Sequence, residues 1–220
     1  MSDLLRVVLV RLCECEGNVQ ERVSSHGRLT ELGRRQALQT QTRILGLDIK
    51  AWLAASSSAC QETATILAGG TPIQVAREFD EPPYTQWVGL TLKQVQGQWP
   101  SEWKSYWDPQ PGDAERVIVP GGESFQVTFE RAKQGLNRLY RKFQGISAIA
   151  IVTHGEVVRL LTVGLLGAPL EHLFRLRGRN GAVSIFDYDG QVATFECIND
   201  ISHLVGLDPK DLADYVMRQK

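Results

Sequence analysis

Two polar side chains stand where buried strands are expected to end. Arg11 follows the apolar run of residues 4–10, and His154 follows the run of residues 146–153. Short runs rich in valine, leucine and isoleucine are typical of parallel strands buried on both faces. Because ligands bind beyond the carboxyl ends of such strands, we expect a pocket there. We interpret Arg11 as an anion contact, with a surface charge as the alternative. His154 is either a ligand contact or a buried imidazole held by a backbone carbonyl.

These two strands belong to an alternating series of strand and helix patterns. Apolar residues recur at helical spacing over 29–45, 125–143 and 156–166, and further strand candidates lie at 50–55 and 73–76. This alternation predicts an α/β fold, in which a three-layer, doubly wound and mostly parallel sheet carries helices on both faces.

Three shorter patterns complete the series. A loop of small residues at 56–60 precedes a short helix at 62–67, and residues 182–188 and 192–197 form a predicted hairpin around the turn Asp189-Gly190.

The C-terminal residues 208–220 predict a tail helix. Asp208 is its expected N-cap, and Pro209 stands at its first helical position. The apolar side of this helix docks either onto the body of the protein or onto a second subunit, so a homodimer is one interpretation.

Residues 78–120 interrupt the alternation and predict a small inserted cap. Prolines are frequent in this segment, and residues 100–107 form a predicted short helix. The aromatic rings either hold the insertion against the body, which we favour, or wall a ligand pocket. Four of the five tryptophans lie here, at Trp87, Trp99, Trp103 and Trp107.

Length and composition restrict the function classes. The 220 residues predict one domain, 1–220, and a net charge of −1 provides no long-range field for nucleic acid. No run reaches the roughly 18 apolar residues of a membrane helix, and the N-terminus lacks the basic region of a signal peptide. Four cysteines form no disulfide framework, so we expect a cytoplasmic, reduced protein with no nucleic-acid or membrane partner. No metal or cofactor is expected.

Six stretches, in their order and spacing, resemble the histidine phosphatase superfamily, whose fold is phosphoglycerate mutase-like. The resemblance extends from residue 4 to about residue 204. It rests on LTELGRRQA, ETATILA, WVGLTLKQV, PGGESF, VTHGEVVRLL and NGAVSIFDY. Members of this family hydrolyse or transfer phosphate monoesters through a phosphohistidine. Their nucleophile lies in an Arg-His-Gly motif after the first strand. An arginine follows the second strand, an acid comes from the insertion, and a second histidine follows a later strand.

The resemblance assigns five candidate site residues to this chain. Arg11 matches the first arginine, and His154 matches the second histidine as a catalytic group. Asn18 and Arg22 correspond to further phosphate contacts. Glu81 corresponds to the catalytic acid, with Asp80 and Glu78 as alternatives for the same position.

The same resemblance implies an incomplete site. Leu12 stands at the position of the nucleophilic histidine, Cys13 at that of the glycine after it, and Ala59 at that of the second arginine. A leucine has no lone pair to attack phosphorus, and an alanine cannot pair with phosphate.

Three functions remain open at this point. The first is a catalytically impaired member that keeps a partial pocket for phosphate or a phosphorylated small molecule, in a binding or regulatory role. The second is an active phosphatase with a non-standard nucleophile, either His154 or a cysteine. The third is a structural protein with an empty pocket.

The cysteines admit a functional and a structural interpretation. The resemblance implies that Cys13 and Cys60 lie near His154, and a thiolate beside Arg11 would have a lowered pKa. A substitute nucleophile, a redox pair or a soft-metal site would follow from that placement. The interpretation we favour is that the thiols are small buried core residues.

Overall fold

The computed structural model describes residues 4–23 and 27–211, and within them a six-stranded mixed sheet forms the centre. Its strand order is β3-β2-β4-β1-β5-β6. The strands β1 to β4 are mutually parallel, whereas β5 runs antiparallel to β1 and to β6. The strands, in chain order, are β1 (Leu5–Arg11), β2 (Ile49–Ala54), β3 (Ile73–Val75), β4 (Ala148–Thr153), β5 (Val183–Tyr188) and β6 (Ala193–Asp200).

Helices cover both faces of this sheet, as the sequence predicts. Ala37 and Ala64, from α2 and α3, join the apolar cluster on one face, and Leu136 and Leu160, from α6 and α7, join the cluster on the other. The α-helices are α1 (Glu16–Val19), α2 (Glu31–Ile44), α3 (Ser58–Ala68), α4 (Leu92–Gln98), α5 (Pro100–Trp107), α6 (Phe125–Lys142) and α7 (Gly155–Leu165).

The Trp-rich segment packs on the α6–α7 face. Trp87, Trp103 and Trp107 are buried in the same apolar cluster as the helices of that face. The helix α5 has the bounds that the sequence predicts. Before it, α4 is a helix that the sequence analysis missed, and Thr91 and Gln94 close its first turn as a capping box.

Two predicted elements need correction. The helix expected at 62–67 begins earlier, as α3, because the Ser57 side chain accepts from the Cys60 backbone N–H at 3.3 Å and caps it. The predicted small-residue loop is therefore shorter than 56–60. The tail-helix prediction is wrong over its described part, since Asp208 has φ +37° and residues 208–211 are not helical. Its remainder lies outside the described residues.

Candidate functional site

The candidate site lies at the carboxyl ends of β1 and β4, where Arg11 pairs with Thr153 in parallel register. The Leu12 backbone N–H donates to the Thr153 carbonyl at 2.8 Å, which keeps the exit of β1 beside the start of α7. A cavity of about 120 Å³ opens here, and Arg11, Leu12 and His154 lie in its wall. We call it the candidate cavity. The sequence predicts a pocket at these two strand ends, and in the structure both ends border the same cavity.

Arg11 is a buried cation and not a surface charge, with only 5% of the residue exposed. Its Nη1 donates to the Lys210 carbonyl at 3.2 Å and lies 3.6 Å from Asp211 Oδ1. Its Nε has no hydrogen-bond partner in the described part of the chain. Burial lowers the pKa of Arg11, against the opposing charge of Asp211. A Cβ at Gly155 would lie 2.9 Å from Arg11 Nε, so the glycine after His154 makes room for this side chain.

Asn18 and Arg22 line the same cavity but differ in their surroundings. Asn18 Oδ1 accepts from the Cys15 backbone N–H at 3.0 Å and from Asn180 Nδ2 at 3.2 Å, which fixes the side-chain amide. Arg22 is exposed, and its Nη1 donates to the Gly89 carbonyl. Arg22 therefore ties the loop after β1 to the insertion.

His154 and Glu81 form the titratable pair of the cavity, with Nδ1 3.3 Å from Oε2. Among the described residues a carboxyl group thus contacts the ring, whereas the sequence offered a backbone carbonyl as the alternative partner. Burial, with a smaller contribution from Arg11, lowers the pKa of His154 to about 3. Burial, with Glu156 and Asp80 nearby, raises the pKa of Glu81 to about 8. A neutral imidazole next to a protonated carboxyl follows near neutral pH.

Glu81 is the carboxyl that faces the cavity among the three that the sequence left as alternatives. Asp80 accepts instead from the backbone N–H and the hydroxyl of Ser56, at 2.6 and 2.7 Å. Glu78 pairs with Arg138 at 3.0 Å. Both alternatives are therefore committed to other partners.

Leu12 and Ala59 also lie in the cavity wall, and both are buried. Leu12 comes from the loop after β1, and Ala59 lies in the first turn of α3. The positions at which the family resemblance expects a nucleophile and a second cation therefore carry apolar side chains that face the candidate cavity.

Three of the four thiols, those of Cys13, Cys15 and Cys60, are buried. Burial raises the pKa of Cys13 to about 12, raises that of Cys60 well above its usual value, and raises that of Cys15. Arg11 lowers the pKa of Cys13 and of Cys15, but desolvation outweighs this attraction, so the net lowering that the functional interpretation needs does not occur. Cys13 and Cys60 lie in the apolar cluster on the α2–α3 face, and of these three thiols Cys15 reaches the cavity wall.

The aromatic rings of the insertion serve in both of the ways that the sequence left open. Trp87, Trp103 and Trp107 are buried in the core cluster and also line the candidate cavity. Tyr106 stands among them, with its ring centroid 5.5 Å from that of Trp87 and 5.1 Å from that of Trp107. Trp99 is partly buried and packs on the cluster outside the cavity wall.

Three charged residues of the cavity were missed from the sequence. Glu156 contacts the hydroxyls of Tyr106 and Tyr84, and burial raises its pKa to about 8. Arg159 forms a two-point ion pair with Asp211, and all three charged residues line the cavity. Glu156 and Arg159 lie inside the stretch VTHGEVVRLL. Two charged residues within this apolar helix pattern were the sequence feature that could have indicated buried site residues on α7.

Within residues 4–23 and 27–211, no group of three or more His, Cys, Asp and Glu side chains could hold a metal ion. In the same residues no helix combines the length and hydropathy that crossing a bilayer requires.

Comparison with known proteins gives consistent matches along the chain. The family model of the histidine phosphatase superfamily (branch 1) matches residues 7–201. The adenosylcobalamin/alpha-ribazole phosphatase of Escherichia coli (strain K12) is 27% identical over 211 residues, covering 93% of this chain and 99% of that relative. The "Probable phosphoglycerate mutase GpmB" of Cronobacter sakazakii (strain ATCC BAA-894) is 32% identical over 216 residues, covering 91% and 95%.

The fold agrees with a solved structure. The structure of YhfR from Bacillus stearothermophilus superimposes with a TM-score of 0.82 at 27% identity, covering 91% of this chain and 99% of that chain.

Proposed function

The chain belongs to the histidine phosphatase superfamily, and we propose that it binds phosphate or a small phosphate monoester without phosphohistidine chemistry. The observation that carries this proposal is Leu12, a buried side chain in the wall of the candidate cavity. The family resemblance expects the attacking imidazole at this position. Leucine offers no lone pair, so no phosphoryl-enzyme bond can form there.

The loss of the nucleophile is expected to dominate the kinetics. Replacing a nucleophile costs on the order of 10⁴ to 10⁶ in rate, and further losses in the same site add little because its groups act as a unit. Ala59 removes a second cation in addition. Turnover by the family mechanism is therefore expected to be negligible. The role that we propose for the protein is accordingly one of binding or regulation.

The remaining groups suit an anionic ligand. Arg11 supplies a buried guanidinium with an unused Nε donor, and Asn18 and Arg22 lie in the same wall. Charge-assisted hydrogen bonds to phosphate are strongest in such water-poor surroundings. The names of the two relatives describe a phosphatase and a phosphoglycerate mutase, which supports a phosphate monoester as the ligand class. A cytoplasmic location fits this proposal, since phosphorylated small molecules are its ligands.

Hydrolysis of p-nitrophenyl phosphate across the acidic to mildly alkaline range tests the proposal, with His154→Ala as the matched control. The proposal expects equal background rates in both proteins, and a rise of the melting temperature with inorganic phosphate. A ligand that binds only the native state must stabilise it. Folded protein without a melting shift would contradict phosphate binding and favour a structural role with an empty pocket.

A second candidate function has one observation in its favour. The His154 imidazole is neutral at physiological pH, since its pKa is lowered to about 3, and it contacts Glu81 as a catalytic base or nucleophile would. In this alternative His154 attacks phosphorus and Glu81 donates a proton to the leaving group. Turnover that disappears in His154→Ala would establish it in place of the binding role.

A further inference from the structure

A carboxylate from the C-terminal segment lies in the wall of the candidate cavity. Arg159 Nη2 contacts both carboxylate oxygens of Asp211, and the Gly178 backbone N–H donates to Asp211 Oδ2 at 2.8 Å. Arg11 Nη1 lies 3.6 Å from Asp211 Oδ1. Asp211 is only 5% exposed although it lies near the end of the chain. One carboxylate thus stands between two buried guanidinium groups.

The two cations come from the elements that carry the rest of the site. Arg11 ends β1, and Arg159 lies in the second turn of α7 and lines the cavity together with His154. The Arg159 guanidinium is held in place by the Leu176 carbonyl, which accepts from Nε at 3.1 Å, and by the Phe174 ring below it, 5.5 Å from centroid to Cζ. Arg159 therefore supplies the second positive charge that Ala59 does not provide.

The charges of the cavity favour an anion in the place of this carboxylate. Burial raises the pKa values of Glu81 and Glu156 to about 8, so both carboxyl groups are mainly protonated near neutral pH. Arg11 and Arg159 then contribute two positive charges and Asp211 one negative charge. A cavity that releases Asp211 would hold the two positive charges that a phosphate dianion neutralises.

We infer that Asp211 is an internal anion in the phosphate site of this chain, and that a phosphate group binds to Arg11 and Arg159 by displacing it. This inference rests on the proposed function and adds regulation of the same site. The ligand class is a phosphate dianion, either free or as the terminal group of a small ester. In the protein without ligand, the C-terminal segment then inhibits phosphate binding.

Displacement would loosen the segment that carries Asp211. The Lys210 carbonyl accepts from the Asn180 backbone N–H at 3.0 Å as well as from Arg11, and the Pro209 carbonyl accepts from Arg179 Nη1 at 2.9 Å. These contacts join the same short segment to β1 and to the turn before β5. A ligand that takes Arg11 and Arg159 therefore competes with the anchoring of residues 209–211, and ligand binding is linked to the position of the segment.

The affinity for inorganic phosphate tests this competition. Asp211→Asn and Asp211→Ala are compared with Asp208→Asn, an exposed aspartate in the same segment, by calorimetry on the full chain. We expect both Asp211 variants to bind phosphate roughly 10- to 100-fold more tightly than the wild type, because the internal competitor is gone. The Asp208 control should match the wild type. Asp211→Ala combined with Arg159→Gln should lose the gain.

Hydrogen exchange on the wild-type protein provides a second measurement that needs no substitution at Asp211 and so does not leave two buried arginines without their counter-charge. Saturating phosphate should accelerate exchange of the Gly178 and Asn180 backbone amides, which donate to the Asp211 carboxylate and to the Lys210 carbonyl, while α7 stays protected. Equal phosphate affinity in wild type and Asp211 variants, or unchanged exchange at saturation, would overturn the inference and leave the proposed function standing. Folded wild type and folded variants that all fail to bind phosphate would overturn both.

Discussion

The imidazole of His154 and the carboxyl of Glu81 meet in a buried contact, with Nδ1 3.3 Å from Oε2. Both groups are held in their neutral forms, because the pKa of His154 is lowered to about 3 and that of Glu81 is raised to about 8. Desolvation is the largest cause in both cases. The contact therefore joins two neutral partners near neutral pH and is not a salt bridge.

This arrangement predicts that stability falls as pH rises from 6.5 to 8. Glu81 and Glu156 have ordinary pKa values of 4.5 and folded values of about 8, so their stabilising contribution is complete below 4.5 and is lost as pH rises through 8. His154 contributes in the opposite sense, but only below its ordinary value of 6.5. Each carboxyl changes the free energy of unfolding by at most about 1.4 kcal/mol per pH unit.

Urea unfolding at several pH values measures this slope. Glu156→Gln should reduce the fall in unfolding free energy between pH 6.5 and pH 8 by at least about half, since it removes one of two titrating groups and also a cause of the raised pKa of Glu81. Glu115→Gln, at an exposed position of the insertion, is the matched control and should keep the wild-type slope. An unfolding free energy that stays constant or rises between pH 6.5 and pH 8 would contradict the conclusion that Glu81 and Glu156 are both protonated in the folded protein near neutral pH.

Cysteine reactivity should follow exposure and not proximity to Arg11. Cys13, Cys15 and Cys60 are buried, whereas Cys197 is partly exposed on β6. We expect a thiol reagent to label Cys197 first. The native Cys197→Ser variant should react with the reagent only very slowly until denaturant is added. The measurement is the time course of labelling followed by peptide mapping. Rapid native labelling of Cys15 would bring back a thiol nucleophile at the cavity wall.

The strands β1 and β4 were readable from sequence because they are short apolar runs with nearly every residue buried. Residues 5–11 and 148–153 leave little exposed surface, so their composition alone distinguishes them from amphipathic helices. The start of α3 was not readable in this way. Its first residues are small and carry no apolar period, and the Ser57 cap that fixes its start is a local hydrogen bond.

Some residues of the cavity could be predicted from sequence, and others could not, for a similar physical reason. Leu12 and His154 stand at strand ends, and both lie in the wall of one cavity. Arg159 and Asp211 are separated by 52 residues, and their ion pair depends on how the C-terminal segment crosses the end of the sheet. Arg159 lies on an apolar helix and Asp211 in a polar segment, and no sequence periodicity links the two positions. Their contact could therefore be identified only from the structure.

Gly33 is required by a close approach, which gives a sharp stability prediction. A Cβ at this position of α2 would lie 2.0 Å from the Glu14 carbonyl oxygen, and this neighbour is backbone. Gly33→Ala should lower the free energy of unfolding by roughly 2 to 4 kcal/mol. Gly97→Ala in α4 meets nothing within 4 Å and should raise it by about 0.5 to 1 kcal/mol. Denaturant midpoints decide this, and similar values for both variants would refute the close approach.

Restoring the missing groups should restore chemistry if the scaffold still positions them. Leu12 and Ala59 both face the candidate cavity, so Leu12→His and Ala59→Arg place a nucleophile and a cation beside Arg11 and His154. Cys13→Gly completes the family motif. We expect the triple variant to hydrolyse p-nitrophenyl phosphate roughly 100-fold faster than wild type, a fraction of what a lost nucleophile costs.

The matched control for this gain is the same triple variant with Leu12→Gln in place of Leu12→His, because glutamine is polar and of similar size but forms no phosphoryl-enzyme bond. Phosphorus NMR of the acid-labile intermediate should show a phosphorus–nitrogen bond in the histidine variant and none in the control. Asp211→Asn added to the histidine variant should raise the rate further, since Arg159 would be released for the substrate. Equal rates in the histidine and glutamine variants would mean that the cavity no longer aligns the groups within the roughly 0.5 Å that catalysis demands.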